Sequence, residues 1–408
     1  MASGAAGVAI VGGSVAGVRC VRALRQSGYS DRIVLFDRQT ETPYDKPTLS
    51  KDFLTEDNTA PTQLATAADL HAWTVEYRSA TTATGLHTAG PKLETSEGLE
   101  SFDAVVVATG CTPRSLPSVV PSEHVGYLRS LDSARALRRS LRPGSHLVII
   151  GGGFVGLEVA SSARARGVTV TVIEAGDRVL ARGVPDRIAR HVASMHETRG
   201  VDVRTSSTVR NVREEPDAVH IELSDGGTLR ADYLLVAVGA DPVVDWLASA
   251  SLELDNGVRC DDSMQTTAER VYAVGDCASF ENPLFGRRMR LEHWTSACEQ
   301  AAFVGRLLAG RARRPACDLI PYVWSDQYDL HIQSVGVEGA ANMTFDVGAH
   351  GVLSLACDGN DLVGAAAVNG QAAILRIRAA LRAGPVALRT IEDSVLQNRS
   401  LEIRNQHS

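Results

Sequence analysis

Paired cysteines, long apolar runs and a surplus of basic residues are all missing from this sequence. Its seven cysteines (Cys20, Cys111, Cys260, Cys277, Cys298, Cys317 and Cys357) are scattered and odd in number, with neither C-x-x-C nor any metal-ligand spacing. No metal site and no redox-active pair are expected, and the thiols should be reduced and mostly buried as small hydrophobes. The formal net charge of −7 over 408 residues leaves no footprint for nucleic-acid binding, although a local basic patch can sit on an acidic body. No apolar run reaches the roughly 18 residues that a membrane helix needs. The longest candidate, around Leu147 to Ala160, holds a glycine cluster and Glu158. The N-terminus lacks a basic n-region, and its apolar stretch runs directly into a glycine motif, which argues against a cleaved signal peptide. A cytoplasmic protein without membrane contact is expected.

Glycine is plentiful, with 36 residues in a chain whose 44% apolar and 22% charged content is ordinary for a globular protein. A chain of 408 residues exceeds what one core holds, roughly 250–300 residues, so several domains are expected. Gly7 to Gly13 (GVAIVGG) is a β-branched run ending in glycine, and Ser14 to Arg25 repeats small and apolar residues at helical spacing. Arg32 to Asp37 (RIVLFD) is a second strand ending in a carboxylate, so a βαβ unit opens the chain. The same order returns in Leu147 to Gly151 (LVIIG), a helix through about Arg166, and the strand Val168 to Glu174 (VTVTVIE). Three further strands run into glycine and are expected to end at a ligand: Phe102 to Gly110, Tyr233 to Gly239 and Val271 to Asp276. From about Pro321, short strands (Leu330 to Val335, Gly351 to Ala356, Leu362 to Val368) and a helix near Gln371 to Ala383 predict a smaller α+β domain. The polar tail after Ser400 is expected to fray.

A dinucleotide pyrophosphate must approach backbone N–H groups at a helix N-terminus, which only side-chain-free positions permit. Gly151, Gly153 and Gly156 meet that spacing, with Phe154 and Val155 between them, and Glu174 is placed to accept hydrogen bonds from an adenosine ribose. The first motif is imperfect: Gly12, Gly13 and Gly17 are present, but Ser14 stands where a second glycine is usual, followed by Val15 and Ala16. Asp37 still occupies the ribose-acceptor position; the alternative is a degenerate, empty unit. Two dinucleotides in one chain, with the strand ends at Thr109–Gly110 and Gly275–Asp276 converging, suggest FAD held permanently and a nicotinamide that comes and goes.

These residues, with the segments PYDKPTLSKDFL (Pro43 to Leu54), ATGCTPR, YLR (Tyr127 to Arg129), RLEHW and YVWSDQYD (Tyr322 to Asp329), carry a resemblance. Over essentially its whole length the sequence resembles the FAD-dependent pyridine nucleotide oxidoreductases, and within them the ferredoxin reductases of cytochrome P450 and ring-hydroxylating dioxygenase systems. The resemblance implies that Gly12, Gly13, Ser14, Ala16, Gly17 and Asp37 bind the adenosine diphosphate half of FAD, and that Asp276 holds its ribityl and phosphate portion. It places Lys51 and Arg129 on FAD and Trp294 and Trp324 near the flavin ring; core packing is the other reading of both tryptophans. The second motif with Glu174 and Gly239 is implied to bind NADH. Glu158, inside that motif's helix, is implied to contact the nicotinamide and to pair with Lys51, the two together forming the catalytic pair. A cation near the flavin stabilises the charge that hydride brings, and a carboxylate on a small, apolar helix face needs a partner if buried. His293 reads as structural.

Where related disulfide reductases and peroxidases place a reactive thiol, this chain has PYDKPTLSK, so electrons must leave the flavin edge directly, favouring a one-electron acceptor. Glu174 favours NADH over NADPH, because like charges about 4 Å apart cost on the order of ~4 kcal/mol near a surface, although Arg178 and Arg182 lie close in sequence. Arg287, Arg288, Arg290, Arg311, Arg313 and Arg314 are candidates for steering an acidic ferredoxin, or simply solvated surface. The expected fold is α/β, with two Rossmann-like dinucleotide-binding domains plus a smaller C-terminal α+β domain. The FAD domain takes residues 1–112 and 243–318, the NAD domain 113–242, and the C-terminal domain 319–408. The expected activity is NADH:ferredoxin reduction. Reduction of rubredoxin or a small one-electron acceptor, and a flavoprotein whose redox state controls binding, are the alternatives.

Overall fold

The computed structural model describes residues 6–388 except 58, 118, 313–315 and 348–350, so Arg313, Arg314 and the tail after Ser400 lie outside the described residues. The chain divides into two compact units. The first comprises 1–45, 62–112 and 241–321; the second comprises 46–61, 113–240 and 322–408.

The first unit is built on a five-stranded sheet in the order Val271–Ala273, Ala104–Val107, Val8–Val11, Ile33–Phe36, Glu76–Arg78. Every neighbouring pair is parallel. A parallel sheet is covered on both faces, so its strands read as unbroken apolar runs. VAIV, IVLF and AVVV are accordingly buried at every position. The helices Val15–Gln26 and Trp294–Leu308 pack together so closely that a Cβ on Gly305 would lie 2.6 Å from that of Ala23. An antiparallel sheet of Ala83–His87, Lys92–Thr95 and Gly98–Ser101, which periodicity alone had not separated, lies in the same unit.

The second unit repeats the parallel architecture: Val201–Arg204, Thr169–Ile173, His146–Ile150, Tyr233–Val236, Val125–Tyr127. A three-stranded antiparallel sheet, Val209–Glu215, Ala218–Leu223 and Thr228–Ala231, accompanies it. The C-terminal part is an antiparallel sheet ordered Tyr322–Gln327, Leu330–Gly336, Asp361–Val368, Gly351–Asp358, Ala341–Val347, with Val386–Ala387 on Asp361–Val368. Helices Gln371–Ala380 and Asp186–Thr198 pack against it, which is why Asp361–Val368 and Gly351–Asp358 are buried almost throughout rather than at alternate positions. This is the expected α/β class with a smaller α+β region after about residue 320. Among the described residues no helix is long and apolar enough to cross a membrane.

Candidate functional site

Both glycine motifs fold to the same local geometry. After strand Val8–Val11 the chain turns at Gly12, whose φ of 119° is closed to side chains and where a Cβ would lie 2.2 Å from the Ala108 carbonyl oxygen. After strand His146–Ile150, Gly151 does the same with φ 109° and 2.4 Å to the Ala237 carbonyl. In each motif the third glycine lets the helix close onto the turn: a Cβ on Gly17 would stand 1.9 Å from Gly12 O, and one on Gly156 2.1 Å from Gly151 O. These contacts are with backbone, so they cannot be relieved by a rotamer change.

The helices Val15–Gln26 and Phe154–Ala165 start at Ser14 and Gly153, with no acidic residue in the first turn and no side-chain cap. Their first N–H groups and positive dipole ends are therefore set up for an anion. Gly153 faces open space, with nothing within 4 Å of its would-be Cβ. Phe154 packs on Gly183, where a Cβ would meet its ring at 2.6 Å, while Val155 is largely exposed. Ala16 is buried, its Cβ 3.2 Å from where a Cβ on Gly275 would sit, so the first helix and the VGD turn are in contact.

The two acids are fixed against their turns. Asp37 is buried, accepts a hydrogen bond from the Gln39 N–H at 3.1 Å, and lies so near Gly13 that a Cβ there would be 2.4 Å from Oδ2. Glu174 accepts from the Gly152 N–H through Oε2 at 2.8 Å and from the Gly176 N–H through Oε1 at 2.7 Å. Arg178 donates to the carbonyls of Val184 and Ala181 and is thereby engaged in its own loop. Arg182 is exposed, with Nη2 3.3 Å from where a Cβ on Gly239 would sit.

In the first unit Thr109 donates to the Val243 carbonyl at 2.7 Å, and Gly110 and Gly275 adopt φ of 67° and 76°. The Asp276 carboxylate accepts from the Cys111 thiol at 3.2 Å. The Gly275 N–H donates to Gln300 Oε1 at 2.7 Å. His293 Nδ1, Ser296 Oγ and Gln300 Nε2, all in the first turns of the Trp294–Leu308 helix or just before it, are buried without a hydrogen-bond partner among the described residues. Buried polar atoms in native proteins are almost always satisfied, and three orphans beside the Gly275–Asp276 turn fit a site completed by a bound polar group. With the uncapped, acid-free helix start at Ser14, the residues present fit a flavin dinucleotide. Burial holds His293 down to about 4, so its ring is neutral near pH 7. Trp294 is half-buried; its indole N–H donates to Asp45 at 2.8 Å and the Arg19 guanidinium lies over its ring.

Lys51, Glu158, Arg129 and Trp324 belong to the second unit. Lys51 Nζ lies 2.9 Å from Glu158 Oε1, with the two side chains 20% and 7% exposed, an ion pair largely removed from water. Glu158 also accepts from the hydroxyls of Ser325 (2.6 Å) and Ser50. The Arg129 N–H donates to Ser133 Oγ at 3.0 Å beside the helix Leu131–Ser140. Trp324 is half-buried and stacks on Tyr322, ring centroids 6.3 Å apart. Ser50, Asp45, Ser325 and Gln300 are not singled out by the motifs; the first three lie in the quoted segments PYDKPTLSKDFL and YVWSDQYD, which is the available signal.

Two features change the reading of the surface. Arg288 donates to the carbonyls of Cys260 and Ser279 and pairs with Glu281, and Arg290 donates to the Asp276 carbonyl and pairs with Glu292, its side chain only 9% exposed. Both are internal braces, which leaves Arg287 and Arg311 as the exposed members of that set among the described residues. Of the seven cysteines none but Cys298 is even partly exposed, and burial pushes the Cys20 and Cys317 thiols up to about 12, far from a reactive thiolate.

Comparisons with known proteins agree with this geometry. Residues 6–301 match the family described as pyridine nucleotide-disulphide oxidoreductase, and residues 322–403 match the one described as reductase C-terminal. The ferredoxin–NAD(+) reductase component of the anthranilate 1,2-dioxygenase system of Burkholderia cepacia is 34% identical over 368 residues, 88% of this chain and 90% of that protein. A rubredoxin–NAD(+) reductase of Pseudomonas putida is 36% identical over 340 residues, 81% of this chain and 86% of that protein. Among solved structures, the covalent complex of putidaredoxin reductase with putidaredoxin matches with a TM-score of 0.89 at 29% identity, covering 96% of this chain and 99% of that one. The chain belongs to the pyridine nucleotide-disulphide oxidoreductase family, in its ferredoxin–NAD(+) reductase group.

Proposed function

We propose that the protein is an FAD-dependent NADH:ferredoxin reductase that takes hydride from NADH and passes single electrons to an iron–sulfur ferredoxin serving a P450 or dioxygenase. The observation that carries this reading is the duplicated glycine turn, each with an acid anchored against it. Bound FAD supplies the conversion between a two-electron donor and a one-electron acceptor. We assign FAD to residues 1–112 and 243–318, NADH to 113–242, and the C-terminal domain to 319–408.

Within this reading the chain's own groups do four things. Gly12, Ser14 and Gly17 in the first motif, and Gly151, Gly153 and Gly156 in the second, open a helix start to a pyrophosphate. Asp37 and Glu174 take the ribose hydroxyls. Glu158 orients the nicotinamide, and Lys51 neutralises its charge, since removing one partner of such a pair leaves a buried charge at a cost of about 3–5 kcal/mol. Arg287 and Arg311 steer an acidic partner. The scattered, odd-numbered cysteines support a cytoplasmic location.

The test is anaerobic stopped-flow absorbance of the purified protein with NADH or NADPH, followed by a [2Fe–2S] ferredoxin and cytochrome c at rising salt. Fast bleaching by NADH with salt-sensitive, ferredoxin-dependent cytochrome reduction is expected. Electrons passing only to oxygen or quinones would overturn the iron–sulfur partner. The 36% identity to a rubredoxin reductase favours one second reading, in which rubredoxin is the acceptor. Faster reduction of rubredoxin than of ferredoxin would select it.

A further inference from the structure

The Glu158 carboxylate stands at the end of a buried chain of polar side chains that the reaction as described does not use. Ser325 Oγ lies 2.6 Å from Glu158 Oε1, Gln327 Nε2 3.0 Å from Ser325 Oγ, and His196 Nε2 2.8 Å from Gln327 Oε1. Tyr328 OH follows at 3.4 Å from His196 Nδ1. Ser325, Gln327 and His196 are completely buried.

Chemistry fixes the direction of this chain. Paired with the Lys51 ammonium, the carboxylate is the acceptor, so Ser325 must spend its one proton on Glu158. The serine oxygen can then only accept from Gln327, which orients the amide with its NH₂ toward Ser325 and its oxygen toward His196. That oxygen requires Nε2–H on His196, leaving Nδ1 bare to accept from the Tyr328 hydroxyl. Burial lowers the pKa of His196 from its ordinary value, which suits this neutral tautomer. Each proton thus points toward Glu158, and such aligned bonds polarise one another.

The scaffold holds the chain in register. Ser325 and Gln327 sit two apart on one face of strand Tyr322–Gln327, which packs on the helix Phe154–Ala165 that carries Glu158. The Tyr328 N–H at the hairpin donates to Ser161 Oγ of that helix at 2.7 Å, and Ser162 Oγ donates to the Ser50 carbonyl at 2.7 Å. We propose that Ser325, Gln327 and His196 are positioning residues, a one-way hydrogen-bonded chain that fixes the Glu158 carboxylate, and through it Lys51, for the nicotinamide step. It explains why the YVWSDQYD segment carries a small hydroxyl and an amide at two core positions where apolar residues would pack more cheaply. The inference rests on the proposed role of the Lys51–Glu158 pair.

The experiment is NADH-driven flavin reduction in the full-length, FAD-loaded protein, read as limiting rate and NADH half-saturation. Ser325→Ala is expected to lower the limiting rate about tenfold, the low end for a charge-assisted hydrogen bond, with half-saturation within about twofold. Ser325→Thr, which keeps the hydroxyl, should restore the rate. Gln327→Met should slow reduction about threefold alone and add nothing in the Ser325→Ala background, because both act through one bond. If the alanine variant does not retain FAD, Ser325→Cys, nearly isosteric and a weak donor, carries the same expectation. A normal rate in Ser325→Ala, or additive losses in the double variant, overturns the positioning chain while Glu158→Gln remains slow. A normal rate in Glu158→Gln would instead overturn the role of the ion pair itself, and the chain with it.

Discussion

Gly153→Ala and Gly156→Ala differ by one methyl group each, and the structure gives them opposite consequences. At Gly153 the backbone has φ −80°, which alanine accepts, and a Cβ there meets nothing within 4 Å. Folding should be nearly unaffected, with a melting temperature within about 2 °C, since surface-type changes are usually within about 0.5 kcal/mol. The methyl would project into the face that the proposed assignment gives to the pyrophosphate. Losing one or two charge-assisted backbone bonds, at about 1.5–3 kcal/mol each, raises the NADH dissociation constant by about tenfold to a hundredfold or more. At Gly156 the same methyl would stand 2.1 Å from Gly151 O, and the turn and helix must separate. Overpacking of that kind costs about 1–3 kcal/mol, or roughly 2–10 °C of melting temperature for a unit of this size. The assay is thermal unfolding alongside NADH titration of flavin reduction. A Gly153→Ala protein that binds NADH as tightly as the wild type would refute the assignment of that open face. A Gly156→Ala protein of unchanged stability would refute the packing argument.

Glu174→Arg should raise the NADPH/NADH ratio of kcat/KM at least tenfold by replacing repulsion with attraction. It should also lower stability, because the Gly152 and Gly176 N–H groups lose their acceptor; an unchanged ratio would count against the ribose contact. For His293 the folded pKa of about 4 lies below the unfolded value of about 6.5, so the unfolded chain binds more protons in between. Its contribution is therefore full above about pH 6.5 and lost as pH falls toward 4, by at most about 3 kcal/mol. Urea unfolding at pH 7 and 5 of wild type and His293→Gln checks this: the variant should lose less stability on acidification.

The sequence alone determined the two parallel sheets, the two glycine turns and the acids set against them. Each of these is local: strands buried on both faces are continuous apolar runs, the turns need residues without side chains, and Asp37 and Glu174 follow directly on the strands that present them. The Lys51–Glu158 pair came from resemblance, because nothing local couples residues so far apart. Tertiary structure decided the rest. It placed residues 46–61 with the second unit, so that Ser50 and Lys51 both reach Glu158. It put Ser325, 167 positions further on, against the same carboxylate. It also turned Arg288 and Arg290 from apparent surface charge into braces, because a run of arginines in sequence shows charge but not the carbonyls and carboxylates that fold back onto it. Short-range sterics and burial period are written along the chain; hydrogen-bond partners of buried polar groups exist only once distant segments have packed.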